Sequence, residues 1–426
     1  MIIWIMAPYD SPPGESWREL RAPLIANELL NAGHNVLLWV SNFSFHTKKY
    51  RCKDWQDLVI TPRFTVRFVP TTSYSANISL ARVLSEYHFA RNVYRRGINE
   101  ARPDCIIARE PPQFNGHYSV TLAKHFDCSL IHDVYDLWPE FFSSIFPKFF
   151  GKFADIIFTP LYIWRARNWS HADAVAALAA EYLRVTLQSV PKLKSRPSRL
   201  VYNGIDVKAL RSKIEDHKTN NSPRDNGKSV QVQAIYAGAL GSSYDISTML
   251  TACEILRERG VPLKVVIAGD GPLRGDVERF LNTKKNTIIE YVGKLKPEDL
   301  YKVYAESEIG LAVYSSRSNV EMPDKFYDYT AAGLAIVTSL KGEIAEVIND
   351  KEVGILYEAE NAQDLANKLE YLVINSDFRK KAAQSSYDIA MNYDCHLQYQ
   401  KFVDLVEQVC NEKQSKKHHR IAKNLI

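Results

Sequence analysis

The segment Glu321-Met-Pro-Asp-Lys-Phe-Tyr-Asp-Tyr-Thr-Ala-Ala-Gly333 sets acids and an amine over the first turns of an expected helix. A helix start offers unpaired N–H groups and a positive dipole end, so it favours a phosphate. Lys325 adds a full charge there, and Asp328 lies three residues on, along the same face. Glu321 and Asp328 stand about two turns apart if the helix begins early. Such a cradle suits a nucleotide diphosphate carrying a hydroxyl-rich sugar. The plain alternative is a capped helix with ordinary surface acids.

Other stretches place polar or small residues where strands end. In Tyr236-Ala-Gly-Ala-Leu-Gly-Ser-Ser-Tyr-Asp245, Gly238 and Gly241 let backbone approach a ligand. As a dinucleotide fingerprint it is incomplete, because Tyr244 holds the third glycine position, and a tight turn explains it as well. In Ala268-Gly-Asp-Gly-Pro-Leu-Arg274, Pro272 suits a first helical position and Arg274 can reach a phosphate. Asp270 can equally serve as a cap. In Tyr291-Val-Gly-Lys-Leu295, backbone around Lys294 and Leu295 can bond a base edge, while the Lys294 charge alone reads as solvated.

In the first half, Ile131-His-Asp-Val-Tyr-Asp-Leu-Trp-Pro-Glu140 puts His132, Asp133 and Asp136 at or just past a strand end. A carboxylate there can take a proton from an acceptor hydroxyl. A histidine in a strand is more often structural. The loop Pro8–Glu15 suits an ordered cover over a cleft. Residues 141–169 are rich in aromatics, with Lys148, Lys152, Arg165 and Arg167 among them. That mixture marks a helix lying on a membrane surface, or equally a core helix.

These residues need a scaffold. Strands expected at Ile2–Ala7, Asn35–Ser41, Asp104–Ala108 and Ser129–Val134 alternate with helical patterns, the first spanning Glu15–Ala32. This is the α/β signature of parallel sheet covered on both faces. Residues 211–229 are poor in apolar types and mark a linker. Beyond it the alternation restarts at Val232–Ala237 and Leu263–Ala268. The expected domains are 1–228, 229–390, and a terminal piece 391–426 whose helix returns to the first domain and whose tail from Asn411 is frayed. Two tandem Rossmann-like domains would face an interdomain cleft, with ligands beyond the carboxyl ends of the strands.

The chain has 426 residues, 46% of them hydrophobic, and a net charge of +5. That charge is too dilute for a nucleic-acid binder. Cys52, Cys105, Cys128, Cys253, Cys395 and Cys410 form no Cys-x-x-Cys pair, so buried free thiols and a reducing, cytoplasmic setting are expected. The apolar start Met1–Met6 is too short for a signal peptide and reads as a strand. No apolar run reaches the ~20 residues that span a bilayer.

Taken together, the motifs resemble the retaining glycosyltransferases of the GT-B fold, in particular those of the group 1 type that build bacterial surface polysaccharides. Tyr236-Ala-Gly238, Ala268-Gly-Asp-Gly-Pro272, Val292-Gly-Lys-Leu295 and Pro323–Gly333 carry the resemblance, with Gly33-His34 and Asp136-Leu-Trp-Pro139. It implies transfer of a sugar from a nucleotide diphosphate, a UDP-sugar favoured, to a hydroxyl of a lipid-linked glycan. No metal or other cofactor is implied. It implies donor contacts at Gly238, Gly241, Arg274, Lys294, Leu295, Lys325 and Asp328, with Glu321, Asp133 and Asp136 nearer the reacting atoms. Two acids with seven residues between them mark the family. Here Asp328 takes the second place, and the first falls on Val320, one residue before Glu321. The arginine and lysine that many relatives carry after the first glycine are absent from Ala239–Asp245, leaving Lys325, Arg274 or Arg317 to hold the diphosphate. A nucleotide-sugar epimerase, a nicotinamide dehydrogenase and a non-catalytic relative are the competing readings.

Overall fold

The structure, a computed structural model, describes residues 1–15, 18–140, 151–220, 231–284 and 288–424. The chain forms two compact units, Met1–Tyr202 with His396–Ile426, and Asn203–Cys395. The first division thus falls upstream of residue 228. The helix Val207–Asn220 packs in the second unit, against helices Pro297–Glu306 and Asp324–Ala332.

The first unit holds an eight-stranded sheet: β1 (Ile2–Met6), β2 (Asn35–Ser41), β3 (Gln56–Thr61), β4 (Phe64–Val69), β5 (Cys105–Glu110), β6 (Ser129–Val134), β7 (Ala174–Ala177) and β8 (Ser198–Leu200). Their order is β3-β4-β2-β1-β5-β6-β7-β8, parallel except for the antiparallel β3–β4 pair. The chain reverses direction across the sheet between β1 and β5, so the residues after those strands flank a crevice. On one face Trp4, Trp39, Phe89, Ile106 and Leu130 share a core.

The first helix is shorter than expected, Arg21–Asn31 rather than Glu15–Ala32. Leu20 offers no side-chain cap, and the carboxylate of Asp10 instead accepts from Ala22 N–H at 2.7 Å. A cap that folds back from ten residues upstream leaves no local signal. The last helix, Cys395–Asn424, continues through the stretch expected to fray. Its Lys417 ammonium donates to the Asp127 carbonyl at 3.0 Å and lies 2.5 Å from that residue's carboxylate, which ties the helix down.

The second unit holds β9 (Val232–Ala237), β10 (Leu263–Ala268), β11 (Ile289–Gly293), β12 (Ile309–Ala312), β13 (Ala335–Thr338) and β14 (Gly354–Leu356). They lie in the order β11-β10-β9-β12-β13-β14, paired in parallel. The switch point is between β9 and β12, whose pairing stops at Ile235 and Gly310. There the Tyr329 hydroxyl accepts from Ala237 N–H at 3.1 Å and donates to the Leu311 carbonyl at 3.1 Å. Gly310 leaves room for that ring, which a Cβ would overlap.

Candidate active site

Helix Asp324–Ala332 rises from Pro323 and ends at Gly333, whose φ of +69° closes the last turn. Leu334 N–H returns to the Tyr329 carbonyl at 2.9 Å. Every residue from Lys325 to Ala332 is buried, so this short helix is sealed on all sides. A lysine at its first turn therefore cannot reach bulk water freely.

The Lys325 ammonium lies 4.1 Å from the Tyr244 ring centre, 4.9 Å from Tyr236 and 5.5 Å from Tyr314. These rings come from the ends of β9 and β12 and the loop between β9 and the next helix. Their π-faces hold a cation, but weakly compared with a carboxylate. Burial accordingly pushes the amine down to about 8, against the pull of Asp324 and Asp328. The amine abuts Gly238, the first residue beyond β9. A Cβ there would come within 2.5 Å of Nζ, and its φ of +149° also suits glycine.

The glycine loops foreseen in the sequence meet here. Gly238 N–H bonds the Ala268 carbonyl at 2.9 Å, and Gly269 N–H bonds Gly293 at 2.8 Å. Leu240 N–H bonds the Asp270 carbonyl at 3.0 Å, and the Tyr291 hydroxyl donates to Gly269 at 3.1 Å. Gly269 packs so tightly on the Gly238 carbonyl that a side chain would overlap it. Gly241 has no such constraint; only Tyr244 approaches it.

Other expected donor residues stand differently. Arg274 is exposed and paired with Glu278 at 2.7 Å and Asp270 at 4.0 Å. Lys294 is exposed, Leu295 half-buried and Arg317 exposed. Asp328 is buried and accepts from the Tyr304 hydroxyl at 3.4 Å. Glu321 turns toward the next helix, Glu343–Lys351, and accepts from Glu343 N–H at 2.9 Å. Gly342 is glycine because a Cβ would overlap that carboxylate. A cavity of about 330 Å³ lies away from this amine, at the carboxyl end of helix Asp324–Ala332, lined by Arg211, Gly333, Lys380 and Tyr387.

In the first unit, Asp133 is sealed at 1% side-chain exposure and grips Arg21 through three contacts of 2.7 to 3.2 Å. Arg21 also donates to the Val201 carbonyl at 2.7 Å. The proton-accepting position expected of Asp133 is thus taken by an internal arginine, which no local pattern announces. Asp136 differs. It reaches solvent, yet the atoms crowded round its carboxyl push it up to about 6, while Arg109 and the Tyr182 hydroxyl pull it back. His132 is buried, its Nδ1 2.5 Å from Glu110 Oε1 but off the hydrogen-bond direction. Glu110 Oε2 accepts from Trp169 Nε1 at 2.8 Å, so this cluster is structural.

The sequence reading missed the three tyrosines around Lys325 and the Tyr329 bridge. Tyr236 and Tyr314 close or follow strands on either side of the switch point, and that placement was the available signal.

Residues 217–388 match the family described as Glycosyl transferases group 1. The second unit carries a glycosyltransferase group 1 domain. Lys325 and its tyrosine cage, with the three glycine loops, lie inside that group 1 domain. Spore coat protein SA of Bacillus subtilis (strain 168) is 26% identical over 231 residues, half of this chain and 60% of that protein. Chitobiosyldiphosphodolichol beta-mannosyltransferase of Candida albicans is 28% identical over 109 residues, 24% of this chain and 23% of that protein. The chain thus spans less than two thirds of the relatives it matches in sequence. Among solved structures, Anabaena HepE in complex with UDP-glucose superposes with a TM-score of 0.62 at 14% identity, covering 97% of this chain and 100% of that one. The fold is GT-B, as the motifs implied.

Proposed function

We propose that the protein is a retaining glycosyltransferase that moves a sugar from a nucleotide diphosphate, UDP favoured, to a hydroxyl of a lipid-linked glycan. The observation that carries this reading is the Lys325 amine, held by three tyrosines against the Gly238 loop. A buried cation at a glycine loop, beside a helix start, is matched to a diphosphate. Asp328 serves the ribose side of the donor, and backbone around Lys294 and Leu295 the base. As the C–O bond to the diphosphate breaks, Lys325 and the helix dipole stabilise the growing charge. The acceptor oxygen bonds to the anomeric carbon, and its proton passes to the departing diphosphate.

The UDP-glucose bound by HepE supports the nucleotide, and the dolichol-linked substrate named for the Candida relative supports a lipid-linked acceptor. Asp136, exposed just past the end of β6 and beside the Tyr182 hydroxyl, is the acceptor-side group we assign from the first unit. Helix Gly151–Trp169 supports a peripheral place on a membrane surface, because Ile156, Ile157 and Ile163 are 68%, 65% and 48% exposed. Among the described residues no helix is long and apolar enough to cross a membrane. Residues 141–150, part of the aromatic stretch singled out above, lie outside the described residues.

Screening UDP-, GDP- and ADP-sugars for protection against thermal unfolding tests the donor. A UDP-sugar should raise the unfolding temperature of the wild type and not of Lys325→Met. Equal protection of both proteins would refute the assignment.

A further inference from the structure

At the carboxyl edge of the first sheet, two cations gather round one aromatic ring. The Lys48 ammonium lies 4.4 Å from the ring centres of both Phe45 and Tyr74. The Arg82 guanidinium lies 5.3 Å from the same Phe45, and 4.8 Å from Tyr9 and from Trp138. Asn77 joins them, its side chain accepting from Lys48 at 2.5 Å and its carbonyl from Arg82 at 2.7 Å. Glu86 accepts from Arg82 at 2.8 Å and also from the Tyr9 hydroxyl. Asp136 also lies within electrostatic reach of Arg82, so the charge left over is that of Lys48, which meets Asn77 and the two aromatic rings. Lys48 feels this: burial and the nearby Arg82 push it down to about 8. Phe45, Tyr9, Trp138 and both cations are half-buried, so a ligand can reach them.

Beside this cluster lies an apolar ledge. Ile78 is 60% exposed, Leu80 87%, Val83 44% and Leu84 48%. Leu80, Val83 and Leu84 sit at helical spacing on helix Leu80–Gly97, on the stripe next to Arg82. Surplus positive charge flanked by an exposed apolar stripe matches an amphiphile with an anionic head. We infer that Lys48 and Arg82 hold the phosphate of a lipid-linked acceptor, with Ile78, Leu80, Val83 and Leu84 against its hydrocarbon chain. This rests on the reading of the protein as a transferase with a lipid-linked acceptor, and names the residues that recognise it.

The test is calorimetric titration of the full chain with farnesyl diphosphate, farnesol and inorganic diphosphate. Farnesyl diphosphate should bind, inorganic diphosphate more weakly, and farnesol not measurably. Lys48→Gln and Arg82→Gln should each weaken farnesyl diphosphate about tenfold, the loss of one charge-assisted hydrogen bond. Leu80→Ser with Leu84→Ser should weaken farnesyl diphosphate and leave inorganic diphosphate alone. Those leucines are exposed, so this variant keeps the test alive if Arg82→Gln unfolds. Lys325→Met separates the two sites: it should abolish protection by UDP-sugars while farnesyl diphosphate still binds. Farnesol binding as well as its diphosphate would overturn the inference. So would loss of farnesyl diphosphate in Lys325→Met with no effect in the Lys48 and Arg82 variants. Failure of every nucleotide sugar to bind would instead sink the donor reading, leaving the prenyl result intact.

Discussion

The Lys325 amine fills the space a side chain at residue 238 would need, so Gly238 and Lys325 form one unit. Gly238→Ala must displace the amine, and the positive φ of residue 238 resists it further. We expect Gly238→Ala to unfold at a lower temperature than the wild type and to lose most nucleotide-sugar protection. Gly241→Ala, which meets only Tyr244 at 3.9 Å, should retain it. Thermal unfolding with and without a UDP-sugar decides this.

The depressed lysine carries a proton signature. With a folded value of about 8 against an ordinary 10.5, the unfolded chain binds more protons between those limits. The contribution of Lys325 to stability therefore rises with pH across that window, opposite to a lysine that gains a salt bridge. A diphosphate beside the amine restores its charged form, so binding at about pH 8.5 should take up a proton. Calorimetry in buffers of differing ionisation enthalpy should detect that uptake in the wild type and not in Lys325→Met.

Glu321 should prove a stability residue first. Its carboxylate caps helix Glu343–Lys351, so Glu321→Ala should cost about 1 kcal/mol, read by denaturant unfolding. If turnover of Glu321→Gln falls a hundredfold while its unfolding midpoint holds, a direct part in the reaction is restored to it.

Asp133 and Arg21 form a sealed pair, so removing one charge strands the other. Asp133→Ala should destabilise the first unit by roughly 3–5 kcal/mol, whereas Arg21→Met with Asp133→Leu should recover much of it. A folded double variant with near-normal turnover would place Asp136, not Asp133, on the acceptor side.

On the membrane side, replacing Ile156, Ile157 and Ile163 with serine should reduce co-flotation with anionic liposomes and leave the unfolding temperature nearly unchanged, since all three face solvent. Unchanged flotation would argue that this helix face serves some other purpose.

The α/β class and the glycine loops at Gly238, Gly269 and Gly293 were legible because they rest on local pattern: apolar runs, strand ends and residues free of a Cβ. The β3–β4 hairpin was not. Every residue of β3 is exposed, so it carries no buried periodicity, even with Leu58, Val59 and Ile60 inside it. The start of the first helix was misplaced because its cap, Asp10, arrives by tertiary folding. The place of Lys325 at a helix start was legible too. The engagement of Asp133 by Arg21 and of Glu321 by a helix end was not, because both are long-range.

The backbone stitches among the loops after β9, β10 and β11 bear on how such a chain can change. Gly238 is tied to Ala268, Gly269 to Gly293, and Leu240 to Asp270, each by a main-chain N–H donating to a main-chain carbonyl. A change of loop length would break this seam, because one inserted residue would shift two neighbouring loops out of step.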